Sequence, residues 1–242
     1  MIRIVDLFRE KTVAFLSQSI FFGVGLTILG YQVGLFIKSR LKSALANPLL
    51  IAILLVIIGL WLSGVKYEIY NDGARYISYL LTPATVCLAI PLYSQFDKLR
   101  RCWKAVAAGI AAGALTNLAC IFLFALLFRF THVQYVTLLP KSVTTAIGMA
   151  ISEELGGIQS VTVAAIICTG IFGHIAGEHI LNAIRVRDPV ARGVAIGTGA
   201  HAIGTARALE LGETEGAMSS LSIVLTGILT VALAPLFSVL LK

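Results

Sequence analysis

Apolar runs of membrane-crossing length alternate with short polar stretches along the chain. Residues 14–37, 47–63, 105–128, 160–183 and 216–241 each read as a predominantly apolar helix. About 20 such residues suffice to cross a bilayer core. Three further segments depart from this pattern. Residues 76–95 are apolar but carry Pro83 and Pro91, which remove backbone donors, so a discontinuous helix is expected. Residues 140–157 and 193–211 are short and mix Gly, Ser and Thr with ionisable side chains. Such backbone is tolerated at membrane depth where it lines a cavity. Residues 1–11 read as a polar or amphipathic lead. Residues 64–75, 96–104, 129–138 and 184–192 read as connecting loops. Gly30/Gly34, Gly109/Gly113 and Gly173/Gly177 form small-residue stripes that predict close helix packing.

Composition agrees. Of the 242 residues, 58% are hydrophobic and 13% charged, against about 25% charged in soluble domains. Mean hydropathy is +0.92. The expected fold is an all-α, polytopic integral membrane protein of about 6–8 transmembrane or re-entrant segments. Its broken helices suggest an inverted-repeat arrangement. One membrane domain is expected over residues 1–242, in two halves: 12–128, with the proline-broken helix, and 138–242, with the two polar segments.

The net charge of +7 does not indicate nucleic acid. The cations cluster between apolar runs: Lys38, Arg40, Lys42; Lys98, Arg100, Arg101, Lys104; Arg185, Arg187, Arg192. That is the pattern of cytoplasmic loops. Four cysteines lack C-x-x-C spacing, so no disulfide frame, metal site or other cofactor is expected. The run 14–37 is long for a signal-peptide core and has no clear cleavage site, so no cleavable signal is expected.

Charge also constrains topology. With the Lys38–Lys42 and Lys98–Lys104 loops inside, residues 105–128 exit. If 140–157 crossed fully, Arg185, Arg187 and Arg192 would fall outside. A re-entrant 140–157 keeps them inside. The same logic lets 193–211 dip from the inside, opposing the first dip. Against this, Arg3, Arg9 and Lys11 would lie outside. A short repeat is consistent: Thr82-Pro83-Ala84-Thr85…Ala89-Ile90 resembles Thr144-Thr145-Ala146-Ile147…Ala150-Ile151.

Candidate chemistry concentrates in the two dipping segments. Lys141, Ser142, Thr144 and Thr145 stand where a half-helix begins, a position suited to an anion. Ser152 and Glu153 end that segment and are candidates for proton or ion coupling. His201 and Thr205 are one helical turn apart. His201 can relay a proton, and Arg207 can grip a carboxylate if a break near Gly204 redirects it. His174 and Glu178 read as a structural pair, and Asn117 as a cross-helix hydrogen bond. There is no G-x-S-x-G elbow and no H-E-x-x-H helix, so no catalytic residues are expected.

Pro140-Lys141-Ser142-Val143-Thr144-Thr145, Ala150-Ile151-Ser152-Glu153…Gly156-Gly157 and Gly197-Thr198…His201-Ala202-Ile203-Gly204-Thr205-Ala206-Arg207-Ala208…Glu215-Gly216-Ala217…Ser219-Ser220 resemble the LrgB/CidB family. So do Asn47-Pro48-Leu49-Leu50 and Leu81-Thr82-Pro83-Ala84…Leu88-Ala89-Ile90-Pro91-Leu92-Tyr93. The resemblance implies a multi-pass protein of the bacterial inner membrane, working with a small LrgA/CidA-like membrane partner. With the two polar segments, the resemblance is read first as transport of a small monocarboxylate of the glycolate, glycerate or pyruvate type through a midplane site; the alternative that it implies is an antiholin/holin-like role in murein hydrolase export and autolysis. A homo-oligomer is compatible with both. The family motif falls on Lys141, Ser142, Thr144, Thr145, His201, Gly204, Thr205 and Arg207. Ala146 stands where the family usually has proline, and His174 with Glu178-His179 is unusual for it.

Overall fold

The computed structural model describes Ser19 and residues 21–41 and 47–241, and every regular element among them is helical. The amphipathic lead, the first part of the run 14–37 and Lys42 lie outside the described residues. Five helices are long and apolar enough to cross a membrane by length and composition. The chain divides into two compact units, one through Cys87 and one from Leu88. The division falls inside the proline-broken segment.

The first unit holds α1 (Phe22–Leu41), α2 (Pro48–Ser63), α3 (Tyr67–Ser78) and α4 (Leu81–Cys87). Asn47 caps α2, its side chain accepting from Leu49 N at 2.8 Å, with Pro48 in the first turn. Gly64 closes α2 in the left-handed region, at φ 69°. The Gly30/Gly34 stripe seats α1 on α2: a Cβ at Gly34 would lie 2.5 Å from Pro48 O. Residues 64–75 are not a loop. From Tyr67 they form α3, because their charged and apolar positions recur at helical spacing. Thr27 Oγ1 and Tyr70 Oη, 2.8 Å apart, tie α1 to α3.

The second unit holds α5 (Ala89–Ser94), α6 (Phe96–Leu127), α7 (His132–Leu138), α8 (Thr145–Glu154), α9 (Gln159–Ala183), α10 (Pro189–Leu211) and α11 (Glu213–Ser238). Two expected loops are helical here. The basic stretch 96–104 is the first part of α6, kinked at Cys102. Lys and Arg are good helix formers, so charge alone does not end a helix. Residues 129–138 contain α7, started by a capping box between Thr131 and Gln134. The proline-rich stretch is interrupted as expected, between Ser78, α4 and α5.

Helix α11 organises this unit. At its start, Thr214 Oγ1 accepts from Lys98 Nζ at 2.8 Å. At its end, Phe237 O accepts from Tyr135 Oη at 2.9 Å and Leu241 O from His132 Nδ1 at 2.5 Å. Helix α10 enters beside the first of these ends, where Gly193 meets Glu215 and Met218. The α7–α8 segment enters beside the other.

Candidate functional site

Helix α10 turns back on itself. His201 carries φ 42°, ψ −142°, a break in an otherwise helical run. Beyond it Gly204 packs on Ile196 and Ala200, and Ala208 joins Ile196 and Leu181 in one buried cluster. In a straight helix Ile196 and Ala208 would stand about 18 Å apart. The inbound half, Pro189 to Ala200, and the outbound half, Ala202 to Leu211, are therefore each about half a bilayer core in length. The break lies at His201, three residues before the expected position at Gly204.

Side chains satisfy the groups that this break exposes. The last carbonyls of a helix lack internal partners. Thr198 O accepts from Asn117 Nδ2 of α6 at 3.1 Å, the cross-helix bond expected of Asn117. His201 O accepts from Thr205 Oγ1 at 2.9 Å, and Thr205 Oγ1 lies 2.7 Å from Ser219 Oγ on α11. His201 Nε2 sits 2.9 Å from Ile166 O on α9. A carbonyl only accepts, so Nε2 carries the proton and Nδ1 is the acceptor nitrogen of the neutral ring. His174 Nδ1 makes the same kind of bond to Ile203 O at 3.1 Å. Two histidines thus brace the turn. Glycines let the braces close: a Cβ at Gly170 would lie 2.8 Å from His201 Cε1, and one at Gly173 would overlap Ala200 Cβ.

The first dipping segment is also a turn-back. Helix α8 has ten residues, about 15 Å, too short to cross. After it, Ile158 N donates to Thr137 Oγ1 of α7 at 2.9 Å, so the chain returns to α7. Thr144 is the N-cap residue of α8 but makes no side-chain cap bond. Lys141 Nζ donates to Ser142 Oγ at 2.9 Å. The two turn-backs enter from opposite ends of α11, and Ile147 in the first turn of α8 reaches Gly227 at its middle. Ile166 lies between them, its side chain on Gly148 of α8 and its carbonyl on His201.

Not every candidate residue faces this centre. Arg207 is bound to Glu178 of α9 at 2.5 Å and to Glu210 at 2.6 Å, and Arg192 lies 3.8 Å from the same Glu178. The expected His174–Glu178 pair is not formed. Fold-back of α10 brings both arginines to that carboxylate and leaves His174 to the break. Ser152 is fully buried, its Oγ 2.8 Å from Thr162 Oγ1, which donates its one hydrogen to Thr137 O at 2.8 Å. Glu153 is exposed at the last turn of α8. Lys141 lines a cavity of about 310 Å³ together with Gly199 and Ala200, the residues just before the break. Thr162 was not singled out by sequence; Thr198 and Gly199 lie in the polar segment 193–211, Thr198 within the family motif, but neither was given a role.

A model of the LrgB-like family matches residues 27–240. The chain is 35% identical over 222 residues to the antiholin-like protein LrgB of Bacillus subtilis, covering 91% of this chain and 96% of the relative. It is equally 35% identical over 218 residues to the antiholin-like protein LrgB of Bacillus cereus, covering 90% and 95%. No solved structure matches.

Proposed function

The chain belongs to the LrgB-like family, and on that premise we propose that it is an antiholin-like protein of the bacterial plasma membrane. It acts with a small LrgA/CidA-like membrane partner on murein hydrolase export and autolysis. The observation that carries this reading is similarity over nine-tenths of the chain to relatives bearing that name. Its test is a deletion strain. Loss of the gene should change the rate of detergent-induced autolysis, and the wild-type gene should restore it only when the partner is present. An unchanged rate refutes the reading.

A second reading, at the level of molecular activity, is favoured by the paired turn-backs. A broken helix braced by His201, His174 and Asn117 is costly to build at membrane depth and suits a carrier. In this reading a small monocarboxylate passes the break, with Lys141 and Ser142 at the α8 turn as its cationic and hydroxyl contacts. His201 is the residue placed to couple a proton. Arg207 holds α10 to α9 rather than the substrate. Proteoliposomes containing the purified chain alone should take up radiolabelled glycolate or pyruvate. No uptake above empty vesicles refutes carriage and leaves the antiholin reading standing.

A further inference from the structure

A groove of about 640 Å³ runs between α6 and the inbound half of α10. Along α10 it extends from Asp188 to Gly199, about 16 Å at the helical rise per residue. That is the depth of one leaflet of a hydrocarbon core about 30 Å thick. The helices touch at its floor: a Cβ at Gly109 would lie 3.3 Å from Val194 Cγ1, and one at Gly113 would overlap Thr198 Cγ2. Its walls include Ala105, Ala112, Ala191 and Ala195, all exposed. Methyl side chains leave open the space that larger lipid-facing residues would fill. At the deep end the polar groups are turned inward: Asn117 Nδ2 donates to Thr198 O at 3.1 Å, and the Thr198 hydroxyl is buried. Volume over length gives a mean cross-section of about 40 Å², about half that of a helix 10 Å across. The groove therefore fits a hydrocarbon chain better than a helix.

The shallow end is basic. Cys102 and Asp188 border it, and Arg101 and Arg187 adjoin them in the chain. Both arginines are exposed, and among the described residues neither has an ion-pair partner. Trp103, 57% exposed, follows Cys102, with Lys104 Nζ 5.9 Å from its ring centre. Tryptophan gathers where bilayer meets water, so this end of the groove lies at headgroup level. The Asp188 carboxylate, also at this end, is committed to the start of α10, where it accepts from Ala191 N at 2.9 Å. We propose that the groove binds an anionic phospholipid, with the phosphate at Arg101 and Arg187 and one acyl chain lying between α6 and α10 as far as Gly199. A basic pocket between membrane helices suits an anionic headgroup, and each arginine there favours it about fivefold over a headgroup without net charge. The site depends on neither reading of the activity.

Native mass spectrometry of the full chain in detergent, titrated with dipalmitoyl phosphatidylglycerol and with the matching phosphatidylcholine, tests this. Wild type should hold phosphatidylglycerol about fivefold or more the tighter. The double variant Arg101→Gln/Arg187→Gln should bring the two lipids within about twofold of each other, the arginine contribution being gone. The double variant Ala112→Leu/Ala195→Leu fills the groove and leaves the charges. It should weaken both lipids about fivefold or more, since each loses its buried chain, while elution stays monodisperse. Wild type binding the two lipids alike, or a filled groove that still holds both, overturns the proposal. Glycerol phosphate competing as well as the whole lipid would make this a site for a soluble anion and would overturn it too. So would a filled groove that leaves lipid retention unchanged but lowers the oligomeric mass, which would assign the groove to a second copy of the chain.

Discussion

Gly197 and Gly199 stand two residues apart in the inbound half of α10 but face different surroundings. An alanine Cβ at Gly197 would lie 2.4 Å from Ser219 O and 2.8 Å from both Ser219 Cα and Ser222 Cβ. Ordinary contact begins at 3.4 Å, so α10 must move off α11 by 3.4 − 2.4, about 1 Å. No rotamer relieves this, because the obstructing atoms are backbone and Cβ. Overpacking of this kind costs about 1–3 kcal/mol. At Gly199 the same Cβ meets nothing. Both substitutions gain about 1 kcal/mol of helix propensity, so the difference between them isolates the contact. Gly197→Ala should be less stable than Gly199→Ala by about 1–3 kcal/mol. Reversible unfolding in mixed micelles, followed by circular dichroism as SDS replaces dodecyl maltoside, measures that difference. Equal midpoints would refute the close approach of the inbound half of α10 to α11.

Three other outcomes follow from the packing. Glu178→Ala should destabilise the chain more than Arg207→Ala, because Glu178 serves both Arg207 and Arg192; a double-mutant cycle should give a coupling of about 0.5 kcal/mol or more, and strict additivity would contradict the shared carboxylate. Tyr135→Phe should lower stability by about 0.5–1.5 kcal/mol, the net worth of the bond from Tyr135 Oη to Phe237 O, which still accepts from Leu240 N; an unchanged unfolding midpoint would count against docking of α7 on the end of α11. Thr162→Val should loosen the start of α9, as it cuts bonds to Ser152 and Thr137 together, and hydrogen exchange of Ile158 N–H should rise; protection equal to wild type would remove the structural role given to Ser152.

The apolar helices were legible because their signal is local. Asn47 and Pro48 mark the start of α2 in the chain itself, and runs such as 160–183 admit little but helix. The turn-back of both polar segments was also expected, from their shortness and from the distribution of arginines. What misled was polarity. Residues 67–78 and 96–104 are charged and helical at once, because a helix can carry charged residues where it leaves the apolar zone. The break was expected at Gly204, where glycine is permissive; it falls at His201, where Ile166 O and the Thr205 hydroxyl hold the strained backbone. Thr205, one helical turn on, was legible as a neighbour of His201, but Ile166 O stands on another element and comes into reach only through packing.

By itself the sequence determined that this is a multi-pass helical membrane protein of the LrgB-like family with two short polar segments. Apolar length, helical period and motif are properties of neighbouring residues. The tertiary structure alone decided what the polar residues do. Arg207 and Ser152 looked like site residues by type, yet one is tied to a carboxylate 29 positions away and the other to a hydroxyl on α9. Thr198 and Gly199 were read only as part of the polar segment, yet they border a cavity beside the break. A side chain's type limits what it can bind. Which partner it meets depends on how distant helices pack.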